Sequence, residues 1–196
     1  MNKVHRSWAE SVETHRRDIR EAILDATAAV VAEHGLNAVT MPAIAAKAGM
    51  AKARLYTHFS DLEAIMRAWH DRQIANHLAY LDDVAEQSGA VMQRLGAVLR
   101  AYAAIVHQTH EHHATERGAS LHRGEGLVDA RRQLHDQIRV LISEGARSGE
   151  IRDDVTPDEL AEHCLRTLST AGGHSSTAAI RHLIAATLAQ LQPSHR

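Results

Sequence analysis

The sequence predicts an all-α protein, with a small three-helix head at the N-terminus and a larger helical bundle behind it. Apolar residues recur at three- and four-residue spacing through most of the 196 residues, and no stretch keeps the alternation of a strand. Only three prolines interrupt the chain. The glycines and capping residues divide it first into short segments and then into long ones, which separates head from bundle.

The first helix carries Ile19, Ile23, Ala26, Val30 and Val31 at helical spacing and stops at Gly35 in "EHGLNAVT". Thr40 is a good N-cap for the second, and Pro42 is tolerated in its first turn because the amide it lacks would be unpaired anyway. That helix runs through Ile44 and Ala45 to Ala48 and stops at Gly49. In "GMAKARLYTHF" a third helix of about two turns follows, too short to hold itself together in water. Ser60 or Asp61 then caps a much longer fourth helix through "LEAIMRAWHDRQIANHLAYLDDV". Further helices are expected at about Ala90 to His113, Gly126 to Ser148, Pro157 to Ala171 and Ser176 to Leu191. In "SGEIRDDVTPDEL", Gly149 ends one helix, and Thr156, Pro157 and Glu159 open the next with a capping box. "ATERGASLHRGEG" reads as a loop, and residues 1–15 as a mobile polar arm.

Composition narrows the function. The apolar fraction of 44% suits a globular protein, no run of eighteen apolar residues could span a membrane, and the start lacks the apolar core of a signal peptide. A cytoplasmic protein is expected. One cysteine, Cys164, excludes an intrachain disulfide and a Cys-pair zinc finger, and its apolar surroundings mark an inert core thiol. Residues 1–59 carry eight Lys/Arg against six Asp/Glu, whereas residues 60–196 carry fourteen against eighteen. A mildly basic head on an acidic body fits a head that meets anions. There is no nucleophile elbow, Gly-rich phosphate loop or paired-carboxylate motif, so neither an enzyme nor a cofactor is expected.

Two short helices joined at Gly49 form a helix-turn-helix, whose second helix can enter the major groove of DNA. Ala45 and Ala48 allow close approach, Ile44 and Leu55 lock the pair onto the first helix, and Lys52 and Arg54 face outward. Lys52 suits a phosphate, Arg54 a bidentate pair with guanine, and Thr40 a phosphate at a helix N-terminus; Tyr56 and His58 add hydrogen-bonding groups at backbone height. "REAILDATAAVVAEHGLNAVT" and "TMPAIAAKAGMAKARLYTHFSDLEAI" resemble the N-terminal domain of the TetR family of bacterial transcriptional regulators over about residues 17–68. The resemblance rests on Ile23, Ala26, Gly35, Thr40, Ile44, Ala45, Ala48, Gly49, Leu55, Tyr56, His58, Phe59 and Glu63. It implies that Thr40, Lys52, Tyr56 and His58 contact operator backbone, and that Ala51, Ala53 and Arg54 lie where bases are read. Three residues depart from the family pattern. Ala53 stands where glycine is frequent, Arg54 where a small residue is commoner, and Leu62 where a phosphate-binding lysine is usual; the last change weakens non-specific affinity and flattens its salt dependence.

The resemblance further implies a ligand-binding and dimerisation domain over residues 61–196 and a helix-turn-helix domain over 16–60. Polar residues interrupt three inward stripes of the body, as a ligand cavity requires. They give a candidate ligand set of Trp69, Gln73, His77, Tyr102, His110, His113, Arg131 and His135. Among the sixteen histidines, His107, His110, His112, His113 and His122 cluster, and i, i+3 pairs such as His110 and His113 could hold a metal if His77, His135, His163 or Glu116 converged. "HEHHA" lacks the second histidine of HExxH, so a hydrolytic metal motif is missing. The last two helices offer Leu160, His163, Cys164, Thr167, Leu168 and Ala171, with Ile180, Leu183, Ile184, Thr187, Leu188 and Leu191, as faces for a four-helix dimer interface. The expectation is therefore a ligand-responsive repressor, binding as a homodimer to a palindromic double-stranded DNA operator and released or tightened by a small-molecule effector. A histidine-rich metal-binding helical protein is the alternative.

Overall fold

Helical periodicity becomes helix throughout the computed structural model, which describes residues 2–113, 125–173 and 176–193. The α-helices among them are α1 (Asn2–His34), α2 (Met41–Lys47), α3 (Lys52–Tyr56), α4 (Leu62–Ala85), α5 (Val91–His113), α6 (Glu125–Ser148), α7 (Pro157–Leu168) and α8 (Thr177–Ala189). Short 3-10 turns occupy Leu36–Ala38 and Ser169–Gly173, and no strand occurs among the described residues. The expected loop "ATERGASLHRGEG" lies almost wholly outside them. The chain forms two compact units, one through Gln73 and one from Ile74, with the division falling inside α4.

In the first unit, Ile23, Val39, Ile44, Leu55 and Ile65 are fully buried, and Phe59 nearly so. These residues answer the question of the short third helix. α3 has five residues, far below the length at which helix propensity alone suffices, and Leu55 anchors it by one buried side chain. α1 stops where Gly35 takes φ 79°, with its N–H still donating to the Val31 carbonyl at 2.8 Å. At its other end α1 reaches Asn2, so residues 2–15 continue the helix. Asp61 caps α4: its Oδ1 accepts from the Ala64 amide at 2.7 Å while Ser60 Oγ donates to its other oxygen, which resolves the choice between Ser60 and Asp61. Arg72 reaches back from α4 to Glu21 and Asp25 of α1, at 2.8 Å each.

The second unit packs α5 against α6, α7 and α8 around Leu95, Val98, Leu99, Ile138, Ile142, Leu165 and Leu168. Its connections follow the expected punctuation. Thr156 and Glu159 close a reciprocal capping box at α7, and Ser176 caps α8 by accepting from the Ala179 amide. Gly145 must be glycine for a packing reason, since a Cβ there would stand 2.5 Å from Ile151 Cδ1. Cys164 is fully buried, and burial pushes its thiol up to about 12, so it is inert at neutral pH.

Most of the side chains expected to pair subunits are buried within the chain itself, while His163, Thr167, Leu183 and Leu188 stay partly exposed. Leu160, Cys164, Leu168, Ala171, Ile180, Ile184 and Leu191 lie in the unit's own core, and Thr187 is 1% exposed with its hydroxyl donating to the Leu183 carbonyl. Burying them within the chain gains the same apolar transfer energy without the entropy loss of association. Outward, α8 instead presents Ala178, His182, Ala185, Ala186 and Ala189.

Candidate nucleic-acid interface

The site is built on the α2–α3 pair. Thr40 takes an extended conformation (φ −138°, ψ 158°), and its hydroxyl accepts from the Ala43 amide at 3.2 Å, so it caps α2 as its residue type predicts. The turn between the helices needs Gly49, whose φ of 64° a residue with a Cβ rarely adopts. The Met50 amide then folds back to the Ala45 carbonyl at 2.9 Å, tightening the corner. Ala51 is extended and starts α3 without a side-chain cap.

Ala51, Lys52, Ala53, Arg54 and Tyr56 are all exposed, whereas Leu55 between them is fully buried. One turn and a half of helix thus turns two cations, a tyrosine and two small alanines to solvent. Lys52 Nζ lies 5.9 Å from the centre of the Tyr56 ring, one turn along the same face. Thr57 ends the helix, its hydroxyl donating to the Arg54 carbonyl at 2.7 Å. Lys47, at the end of α2, is held by Glu33 of α1. Among the described residues no carboxylate pairs with Lys52 or Arg54, which leaves two uncompensated cations on α3.

His58 sits beyond α3, partly covered. Burial and the cations Arg16, Arg54 and Arg20, with His15, hold its imidazole below the ordinary histidine range. Arg20 of α1 donates to the His58 carbonyl at 2.5 Å and stacks its guanidinium 4.0 Å over the Phe59 ring. All seven residues expected at a DNA surface, Thr40, Ala51, Lys52, Ala53, Arg54, Tyr56 and His58, therefore lie in one short segment of the first unit. Arg16 and Arg20 were missed. Their i, i+4 spacing was visible, but nothing in the sequence says which side of α1 faces the end of α3.

The residues expected to hold a ligand are divided between the two units. Trp69 and Gln73 belong to the first unit, and the buried Trp69 indole N–H has no acceptor among the described residues. In the second unit His77 is half-buried, and burial lowers its pKa. Tyr102, Arg131 and Glu162 come together. Burial pushes the Tyr102 phenol up, the Arg131 guanidinium opposes that shift, and Glu162 adds to it. Arg131 is exposed and spends its guanidinium on the Glu162 carboxylate at 2.9 and 3.2 Å. His135 Nε2 lies 3.3 Å from the Asp158 carbonyl, and the His110 ring packs on Gly172, where a Cβ would stand 2.7 Å from Nδ1. Two polar groups outside the expected set are buried without partners, His107 Nδ1 and His163 Nε2. Side chains of His112, His113, Glu116 and His122 lie outside the described residues. Among the described residues, no three His, Cys, Asp or Glu side chains gather as a metal site, and no helix is long and apolar enough to cross a membrane.

Comparison with known proteins agrees with this architecture. Residues 23–69 match the family model of bacterial regulatory proteins of the tetR family. The HTH-type transcriptional repressor KstR2 of Mycobacterium tuberculosis is 28% identical over 152 residues, covering 71% of this chain and 72% of the repressor. A TetR/AcrR-family transcriptional regulator from Thermobifida fusca shares the fold with a TM-score of 0.70 at 18% identity, over 87% of this chain and 97% of that one. AibR, solved with isovaleryl coenzyme A and operator DNA, shares it with a TM-score of 0.56 at 18% identity, over 90% of this chain and all of AibR. The matched segment spans α2, α3 and their junctions with α1 and α4, and over it the chain carries the N-terminal domain of the tetR family of bacterial regulatory proteins.

Proposed function

We propose that this DNA-binding regulator is a ligand-responsive repressor that acts as a homodimer on a palindromic operator, with α3 of each subunit in a major groove. The observation that carries the reading is α3 itself: its one large aliphatic residue, Leu55, is buried, and Lys52 and Arg54 face solvent with no carboxylate among the described residues spent on them. In this reading Arg54 reads a guanine, Ala51 and Ala53 lie against neighbouring base edges, and Thr40, Lys52, Tyr56 and His58 hold phosphates. One five-residue helix reads too few bases for specificity, so two heads about one helical turn apart are needed. Residues 16–60 form the DNA-binding domain and residues 61–196 the ligand-binding and dimerisation domain.

The effector belongs to the second domain. Tyr102, His77 and the unpartnered His107 and His163 supply polar groups in a mostly apolar bundle, the composition that orients a buried guest. Acyl coenzyme A thioesters are the first class to test, because a relative of the same fold is known in complex with one. A guest acts on DNA binding only through unequal affinity for two conformations of the protein.

Selection of bound duplexes from a randomised pool, with excess sheared competitor DNA, tests the reading. A palindromic consensus should emerge. Arg54→Ala should then lose preference at one base pair per half-site, at a cost of about 1–3 kcal/mol in discrimination. An unchanged consensus with Arg54→Ala would reduce Arg54 to a phosphate contact, and a pool that never enriches would end the proposal.

A further inference from the structure

The face of α1 that meets the end of α3 extends well beyond the segment shared with the family. The family match begins at residue 23, yet α1 begins at Asn2. Arg20 fixes the rotation of this helix: it contacts both the His58 carbonyl and the Phe59 ring, so the side of α1 carrying Arg20 is the side next to the α3 terminus. Arg16 stands four residues earlier, one helical turn along that same face. Its influence on the His58 imidazole agrees with that placement.

Beyond Arg16 this face stays open to solvent at the positions described. Val12 and Trp8, the next two positions in the i, i+4 row, are 40% and 71% exposed. Two carboxylates of α1, Glu21 and Asp25, are turned to Arg72, and among the described residues none pairs with Arg16. Arg16, Arg20 and Arg54 therefore make a cationic strip that crosses from α1 to α3 beside His58, whose imidazole burial and these charges keep from protonating. Same-sign charges held close together need an anion, and a phosphodiester backbone running past α3 supplies one.

We propose that α1 is a second DNA-contacting element, in which Arg16 takes a backbone phosphate next to the one at His58. The inference rests on the DNA-binding reading above and adds a contact to it. The site takes charge and not shape, so it contributes affinity without base preference.

The test uses the full-length chain and the duplex enriched by wild-type protein from a randomised pool. Binding is followed by fluorescence anisotropy across a series of KCl concentrations, for wild type, Arg16→Gln and Arg16→Lys, with thermal melting of each. Arg16→Gln should melt like wild type, keep the same base preference, bind several-fold more weakly, and lower the slope of log K against log salt by about one for each subunit engaged. Arg16→Lys should restore the slope. An Arg16→Gln protein with wild-type affinity and slope would overturn the inference while leaving the DNA-binding reading intact. Loss of binding with a changed base preference, or with a lowered melting temperature that Arg16→Lys does not repair, would also overturn it. Failure of wild-type protein to enrich any duplex would overturn both.

Discussion

Lys47 and Arg54 carry the same charge on neighbouring helices, and their surroundings separate them. Lys47 is tied to Glu33, whereas Arg54 has no carboxylate partner among the described residues. An exposed ion pair is cheap to break, yet an arginine that needs no pair broken begins at an advantage for a new anion. His58 shows the same logic for a titratable group. Burial and the cations Arg16, Arg54, Arg20 and His15 lower its pKa, so the folded state disfavours the imidazolium that the unfolded chain accepts readily. Its favourable contribution is present above the unfolded value near 6.5 and is lost as pH falls through the lower folded value. Wild-type protein should therefore lose more stability than His58→Asn between pH 7 and pH 5, as read from denaturant midpoints. Equal losses would mean that other groups govern the acid limb.

Among elements, α3 depends most on its neighbours. Leu55 is its single buried side chain, so Leu55→Ala removes the anchor and leaves a cavity in the first unit. A cost of about 2–5 kcal/mol is expected, with loss of DNA binding at temperatures where the second unit is still folded; thermal unfolding by circular dichroism checks it. The capping residues were legible because their chemistry is local: Thr40 and Pro42, Thr156 with Glu159, and Gly49 each act within four residues. Thr40, Thr156 and Ser176 all accept the amide three residues on, as their types predict. The start of α1 was not legible in the same way. Residues 2–15 are mostly polar, and their short apolar row of Val4, Trp8 and Val12 has no helix stop or cap around it to set its bounds; in the fold they continue the helix that carries Ile19 and Ile23.

At the scale of the molecule, charge is divided between a mildly basic head and an acidic body, which keeps the DNA backbone on one side of the protein's chemistry. The proposed dimer is constrained by what the chain already buries. Leu160, Leu168, Ile180 and Ile184 are spent within the second unit, so pairing through α8 would draw on its exposed Ala178, Ala185, Ala186 and Ala189 and its partly covered Leu183 and Leu188. Sedimentation of wild-type protein should then show a dimer, and Ala185→Arg a monomer with unchanged helical content. A dimer indifferent to Ala185→Arg would place the interface elsewhere.

The sequence by itself determined the helices of the head, their turn at Gly49, and the exposed residues of α3, because periodicity, caps and positive-φ glycines are properties of short stretches. It also carried the resemblance of the head to a family domain, through residues spaced along one continuous segment. Tertiary structure alone decided which cations were spent and which were free, that Arg20 and Arg16 of α1 face the end of α3, and that the apolar faces of α7 and α8 close their own core. Those outcomes depend on how helices far apart in sequence rotate against one another, and an amphipathic pattern specifies that a face is buried without specifying against what.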